Sequence, residues 1–377
     1  MSNIKAYLVI VQIGKKPRHY LDESLEEITE LARSCEREVV GFSKAVLPEP
    51  SPSHLIRKGK MEEVRTAAKA AGAKFLIFNV DLSPGQARNI ETDCKITPVD
   101  RTGLILDIFA KRAQSREGKL QVELARLNYI LPRLMGLGLK MSRLGGGIGT
   151  RGPGEQELEW DRRKIRKRIA RVKDELEKVE KHRALIRLSR KKKHFTTVAL
   201  VGYTNAGKST LMNALTGAGA YVEDKLFATL DPMTRLQSVN GQSNILFIDT
   251  VGLIKDLPHG LVKAFHATLE EVTEADMLIH VLDAASPHAE QQKAAVDEVL
   301  QEINAAEKIS VLVLNKADLL SDDEKRRAEG IWAHGMLISA KSSLGMNGLI
   351  VKLEGIIQDL RTASNHSPLA DFGHSSS

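Results

Sequence analysis

The amino-acid sequence predicts an α/β protein in three parts: a small, mainly parallel α/β domain over residues 1–110, an antiparallel, coiled-coil-like helical hairpin over 111–193, and a larger α/β domain over 194–361. Three observations lead there. Short β-branched runs alternate with amphipathic segments in both outer parts, and the hydrophobic period changes to a 4,3 repeat between them. Charge is also partitioned. Residues 1–110 hold 16 Lys and Arg against 15 Asp and Glu, 111–193 hold 25 against 10, and 194–377 hold 14 against 23.

Composition removes several classes. Only two cysteines, Cys35 and Cys94, occur, far apart and with no partner at metal-ligand spacing, which argues against a disulfide scaffold and a zinc site. No run reaches the roughly 18 apolar residues of a membrane span, and the apolar run 6–11 is too short for a signal sequence, so stable membrane insertion is not expected and a reducing cytoplasm is. Peripheral membrane association stays open. A segment as basic as 111–193 repels itself unless it meets a polyanion, and nucleic acid is the first candidate.

In the first part, residues 7–11, 39–42, 75–80 and 96–99 read as strands, with helices near 20–34, 59–71 and 84–93. None of these strands leads into a glycine-rich phosphate loop, which favours a docking domain over a dinucleotide site. In the middle part, Leu120, Leu124, Leu127, Leu131 and Leu134 are spaced 4, 3, 4, 3, and Ile165, Ile169, Val172, Leu176 and Val179 repeat the spacing. These are the two arms of a hairpin, the second running from about 155 to 190. Its tip, 136–154, has glycine at eight of nineteen positions, and Lys140, Arg143 and Arg151 are its only charges. A plain linker needs neither Leu144 and Ile148 nor cations free of acids, so the tip reads as functional. The run 162–171 has seven cations and no acid, and is the better surface for phosphate contacts; beyond it acids return at Asp174, Glu175, Glu177 and Glu180. Residues 362–377 are polar and weakly patterned, as in a disordered tail.

The third part holds the most specific signal. The apolar strand 198–201 runs into Gly202-Tyr203-Thr204-Asn205-Ala206-Gly207-Lys208-Ser209 and then a helix from Thr210, the strand–loop–helix setting of a P-loop. Backbone N–H groups and the helix N-terminus hold phosphates there, Lys208 reaches the β and γ phosphates, and the Ser209 hydroxyl suits Mg²⁺. Asp249-Thr250-Val251-Gly252 ends the next apolar strand, with Asp249 placed to reach the metal through water and Gly252 near the γ-phosphate. Asn315-Lys316-Ala317-Asp318 follows the strand 311–314, and the Asp318 carboxylate can accept from the guanine N1–H and amine, a donor pair adenine lacks. Ser339-Ala340-Lys341 adds a backbone amide for guanine O6. In Phe227-Ala228-Thr229-Leu230-Asp231, Thr229 lies where a loop threonine closes onto Mg²⁺. Five such elements in order read as a GTP-binding P-loop GTPase domain, with Lys208, Thr229 and Gly252 as its catalytic residues.

Over almost its whole length the chain resembles the HflX family, ribosome-associated GTPases of the Obg-HflX type. The most specific marks are 145–155 (GGGIGTRGPGE), Leu158-Glu159, Asp161-Arg162-Arg163 and the stretch 226–232. It departs from the family at Gln156-Glu157, where Thr-Gln is usual, and at Met233, where Thr is. The resemblance implies a GTPase that binds the large ribosomal subunit with its hairpin tip near the peptidyl transferase centre and splits or rescues stalled or idle ribosomes under stress. It implies contacts to ribosomal RNA from Lys140, Arg143, Gly145, Gly146, Gly147, Arg151, Arg162 and Arg163. A monomer is expected. In many GTPases a Gln after the DxxG glycine positions the attacking water; here that residue is Leu253, so unassisted hydrolysis should be slow and stimulated by the ribosome. Two other readings are a GTP-dependent regulator of protein partners and an RNA-remodelling ATPase in the N-terminal half; the absence of a second phosphate loop in 1–195 argues against the latter.

Overall fold

The computed structural model describes residues 4–134, 153–192, 195–217, 226–227, 229–239, 243–255 and 266–365. The expectations for Lys140, Arg143, Gly145, Gly146, Gly147, Arg151, Ala228 and the tail from 366 lie outside the described residues. The chain forms two compact units, the first made of residues up to Ile186 together with the described residues 226–227, 229–231 and 266–267, the second of the remaining described residues.

In the first unit, β1 (Ile4–Ile13), β2 (Arg37–Leu47), β3 (Phe75–Phe78) and β4 (Thr97–Val99) form a parallel sheet in the order β2-β1-β3-β4. Parallel strands need long crossovers. Here α1 (Tyr20–Ser34), α2 (Lys58–Ala70) and α3 (Pro84–Cys94) supply them. The middle of β1, from Ala6 to Val11, is buried without alternation because helices cover both faces. Tyr7, Val9 and Val11 pack with Met61 and Val64 of α2 and Ile90 of α3. Local chemistry sets the start and end of α3. Ser83 and Gln86 form a reciprocal capping box, Pro84 opens the helix, and Lys95 ends it in the left-handed region at φ +57°. Cys35 and Cys94 are buried free thiols.

A further helix, α4 (Arg101–Arg112), was absent from the sequence reading. Leu104, Ile105, Leu106, Ile108 and Phe109 are all buried, while Thr102, Asp107 and the last turn from Ala110 reach the surface. Asp100 caps it by accepting from the Gly103 N–H at 2.8 Å. The same buried carboxylate accepts from the Leu82 N–H and the Tyr129 hydroxyl, at 3.1 and 2.7 Å, and from Arg133. Tyr129 and Arg133 belong to α5 (Arg116–Leu134), so the end of the first hairpin arm is clamped to the small domain.

The second arm is α6 (Pro153–Lys192), 40 residues, about 60 Å at 1.5 Å per residue. It runs antiparallel to α5. Glu117 pairs with Arg183 at 3.1 Å and Glu123 with Arg168 at 2.6 Å, so ascending positions on α5 meet descending ones on α6. The Arg168 guanidinium holds the Glu123 carboxyl below its usual range. Leu120, Val172 and Leu176 form the buried centre of the seam, with Leu124 against it.

The second unit is a six-stranded sheet in the order β10-β9-β8-β5-β7-β6. The strands are β5 (Thr196–Gly202), β6 (Met233–Val239), β7 (Ser243–Asp249), β8 (Met277–Asp283), β9 (Ser310–Asn315) and β10 (Met336–Leu337). Only the β6–β7 pair is antiparallel. Its helices are α7 (Lys208–Thr216), α8 (His266–Glu274), α9 (Ala289–Glu302), α10 (Asp322–Ile331) and α11 (Met346–Asn365). Val198, Leu200, Ile279 and Val281 pack on Leu211 and Leu215 of α7 and on Leu349 and Leu353 of α11. Among the described residues no helix is long and apolar enough to cross a membrane.

Candidate functional site

The carboxyl ends of parallel strands are where an open α/β sheet places its ligand site, and here β5, β7, β8, β9 and β10 end together. β5 runs into the loop 202–207, which turns through Asn205 at φ +63° and Gly207 at φ +92° into α7. At Gly207 a Cβ would stand 2.2 Å from Asn315 Nδ2, so neither the backbone angle nor the space admits a side chain.

Lys208 folds back over this loop. Its ammonium donates to the carbonyls of Gly202 at 3.1 Å and Tyr203 at 2.9 Å. The residue is 6% exposed, and burial pushes its pKa down to about 8, against a smaller upward pull from the Asp249 carboxylate. The next residue, Ser209, donates from Oγ to Asp249 Oδ2 at 2.6 Å, so a hydroxyl from the P-loop helix and a carboxylate from the end of β7 stand side by side. These are the hard oxygen ligands Mg²⁺ takes, and the pair fits that ion. The Thr204 hydroxyl is buried and makes no hydrogen bond among the described residues.

The segment after β7 is stitched to the P-loop. Leu253 N–H donates to Gly202 O at 3.1 Å and Thr204 N–H to Leu253 O at 2.9 Å, while Thr250 Oγ1 donates to Leu200 O at 2.6 Å. Gly252 lies so close that a Cβ would stand 2.8 Å from Thr204 Cα and 3.2 Å from the Lys208 ammonium. Val251 and Leu253 are both buried, so the Leu253 side chain is a core group and not a water-positioning one.

Asn315, at the end of β9, ties three loops. Its Nδ2 donates to Ala206 O at 2.9 Å, and its Oδ1 accepts from Ala340 N–H at 3.0 Å. The P-loop and the 339–341 loop are thereby held by one amide, itself 3% exposed. Lys316, at φ +63°, pairs with Asp283 at the end of β8 at 2.7 Å, and Ala317 N–H donates to Ile338 O at 3.0 Å. Ser339 is buried, while Asp318 and Lys341 are exposed at the rim. The sequence reading did not include Asp283, although an aspartate closing the apolar strand 277–282 was a usable signal.

So the second unit brings together 202–210, 249–252, 315–318 and 339–341. Phe227, Thr229, Leu230 and Asp231 pack as part of the first unit. Asp231 differs from the expectation of a nucleotide contact: its carboxylate accepts from the N–H groups of Gln114 and Ser115, at 2.8 and 2.7 Å. Both N–H groups belong to the residues that lead into α5, and the same carboxylate accepts from the Ser115 hydroxyl. On α6, Arg163 is exposed, whereas Arg162 donates to Glu159 at 3.2 Å.

Three family descriptions match successive stretches: GTP-binding GTPase N-terminal over residues 22–110, GTP-binding GTPase Middle Region over 112–190, and 50S ribosome-binding GTPase over 197–316. GTPase HflX of Caldanaerobacter subterraneus subsp. tengcongensis is 49% identical over 354 residues, 94% of this chain and 81% of that protein. GTPase HflX of Escherichia coli K12 is 45% identical over 338 residues, 88% and 78% of the two chains. Among solved structures, an SsGBP–GDP complex is 26% identical with a TM-score of 0.52, covering 95% of this chain and 99% of that one. A GTP-binding protein from Sulfolobus solfataricus in complex with GDP is 25% identical with a TM-score of 0.50, covering 95% and 100%. With relatives of this identity over nearly the whole length, the chain belongs to the HflX family of GTPases.

Proposed function

We propose that the chain hydrolyses GTP with Mg²⁺ and acts on the large ribosomal subunit, splitting or rescuing stalled or idle ribosomes, with hydrolysis promoting its release. One observation carries this reading: a guanine-type phosphate site shares its chain with a 40-residue helix on which Arg163, Lys164, Arg166, Lys167 and Arg171 are exposed. Such a surface meets RNA through phosphates, without reading sequence. The matching description, 50S ribosome-binding GTPase, and the HflX relatives point the same way.

Lys208 binds the β and γ phosphates, and the loop amides 203–209 surround them. Ser209 and Thr229 supply hydroxyl ligands to Mg²⁺, with Asp249 reaching it through water. Bound Mg²⁺ supplies neutralisation of charge on the phosphoryl oxygens. Asp318 accepts from guanine N1–H and its amine, and the Ala340 region donates to O6. The Leu253 side chain, buried and apolar, positions no water, so turnover is slow until the large subunit orders the loops around Thr229 and Asp249. GTP turnover with and without purified large subunits tests this, and equal rates would refute the stimulated mechanism. Co-sedimentation with ribosomes across a salt series tests the partner. Binding to RNA phosphates falls steeply with salt, and a flat response would favour a protein partner.

A further inference from the structure

Residues 226–227 and 229–231 precede β6 in the chain, yet they belong to the first unit. Leu226, Phe227 and Leu230 are buried. Phe227, at φ +54°, sets its ring edge-on to Phe109 of α4, with centroids 4.7 Å apart and planes at 77°. Two residues past Thr229, Asp231 accepts from the N–H groups of Gln114 and Ser115 and from Ser115 Oγ. The Ser115 hydroxyl in turn accepts from Gly118 N–H at 2.9 Å. A carboxylate 116 positions away thus holds Ser115, whose hydroxyl caps α5, the first arm of the basic hairpin.

Gly118 explains itself through this contact. A Cβ there would stand 2.2 Å from Asp231 Oδ1 and 3.2 Å from its Cγ. Glycine is among the poorest helix formers, so the first turn of α5 gives up helix propensity at the spot the carboxylate approaches.

We propose that Asp231 is a positioning residue for GTP hydrolysis: it tethers the loop bearing Thr229 to the first turn of α5, so that the hairpin and the nucleotide site share one switch element. The proposal rests on the reading of Thr229 as the residue that closes onto Mg²⁺. Thr229 stands two residues from each anchor, and any large displacement of it must draw out the Phe227 ring or the Asp231 carboxylate. Coupling of this kind is reciprocal. Whatever the nucleotide does to the first turn of α5, an RNA gripping the hairpin does to Thr229, with no group of its own in the nucleotide site.

The test is Gly118→Ala in the full chain, which evicts the carboxylate while favouring the helix. Hydrogen exchange of residues 112–120 is compared in protein saturated with GDP and with a non-hydrolysable GTP analogue. In the unmodified chain, exchange at 114–118 should differ severalfold between the two states. In Gly118→Ala the difference should vanish, with GDP affinity kept within about twofold and thermal stability not lowered. Ser115→Ala, which removes both the hydroxyl's bond to Asp231 and its cap on Gly118 N–H, should shrink the difference, and Ser115→Thr should restore it; a purely structural cap would alter exchange equally in both nucleotide states. Identical exchange in the two saturated states of the unmodified chain, or a full difference surviving in Gly118→Ala and Ser115→Ala, overturns the tether. Failure of the unmodified chain to bind a fluorescent guanine nucleotide would instead overturn the nucleotide-site reading, and the proposal with it.

Discussion

Replacing Asn315 with alanine removes one side chain and unpairs two main-chain groups. The Ala206 carbonyl loses a donor at 2.9 Å and the Ala340 N–H loses an acceptor at 3.0 Å. Ala206 and Ala340 are 1% and 7% exposed, so water replaces neither bond cheaply. An orphaned buried polar group costs about 1–3 kcal/mol, which puts the loss for the pair at roughly 2–6 kcal/mol. Urea unfolding follows a slope of about 2 kcal/mol/M, so the midpoint of the second unit should fall by about 1–3 M. The chain has two tryptophans, and Trp332 borders α10 of that unit. In a Trp160→Phe background its fluorescence reports the unit alone. Asn315→Asp keeps an acceptor for Ala340 but sets a carboxylate against the Ala206 carbonyl, and should recover less than half of the loss. Guanine-nucleotide affinity should fall in parallel, since the same amide holds the phosphate loop and the 339–341 loop together. A midpoint shift below about 0.3 M for the alanine variant would mean that the two groups find other partners and that Asn315 is not the brace.

Lys208 makes nucleotide binding sensitive to pH. Its ammonium must be charged to pair with phosphate, and burial brings its pKa from 10.5 to about 8. Affinity for GDP should therefore be level below pH 8 and fall above it, by about tenfold at pH 9, and a flat titration by fluorescent-nucleotide binding would contradict the burial argument. The sign for stability is the reverse: folding releases this proton between about pH 8 and 10.5, so the cost of burying the charge is full below that window and gone above it. Asp318→Asn should weaken GTP and GDP binding by an order of magnitude or more, because a paired acceptor becomes a mixed donor and acceptor; unchanged affinity in calorimetry would misplace the guanine site. Arg163→Ala with Lys167→Ala should weaken ribosome binding at low salt and flatten its salt dependence by up to about two units of slope, with GDP affinity unchanged. An unaltered slope would show that these side chains meet no phosphate.

Local chemistry was legible wherever it repeats along the chain. Strands β1 to β4 and helices α1 to α3 announce themselves by β-branched runs and amphipathic period, and the structure extends the strands 7–11 and 39–42 to Ile4–Ile13 and Arg37–Leu47. The hairpin arms follow from the 4,3 spacing, and Glu117–Arg183 and Glu123–Arg168 show the antiparallel sense that a connection of 18 residues between α5 and α6 allows. Helix α4 has no counterpart among the segments read from the sequence, although Asp100 caps it and its apolar residues face the core.

The sequence marks 202–209, 249–252, 315–318 and 339–341 as candidate phosphate and guanine loops because each is a short run fixed to the end of its own strand, and a short run carries its chemistry with it. Which atoms meet across those loops was decided only by the tertiary structure. Asn315 reaches Ala206 from 109 residues away, Lys316 finds Asp283, the Leu253 side chain turns into the core, and the Asp231 carboxylate holds Ser115, 116 positions earlier. A hydrogen-bond acceptor has no period and no preferred sequence distance. Its partner is set by which strand ends and helix starts the topology lays side by side, and that depends on the packing of the whole unit.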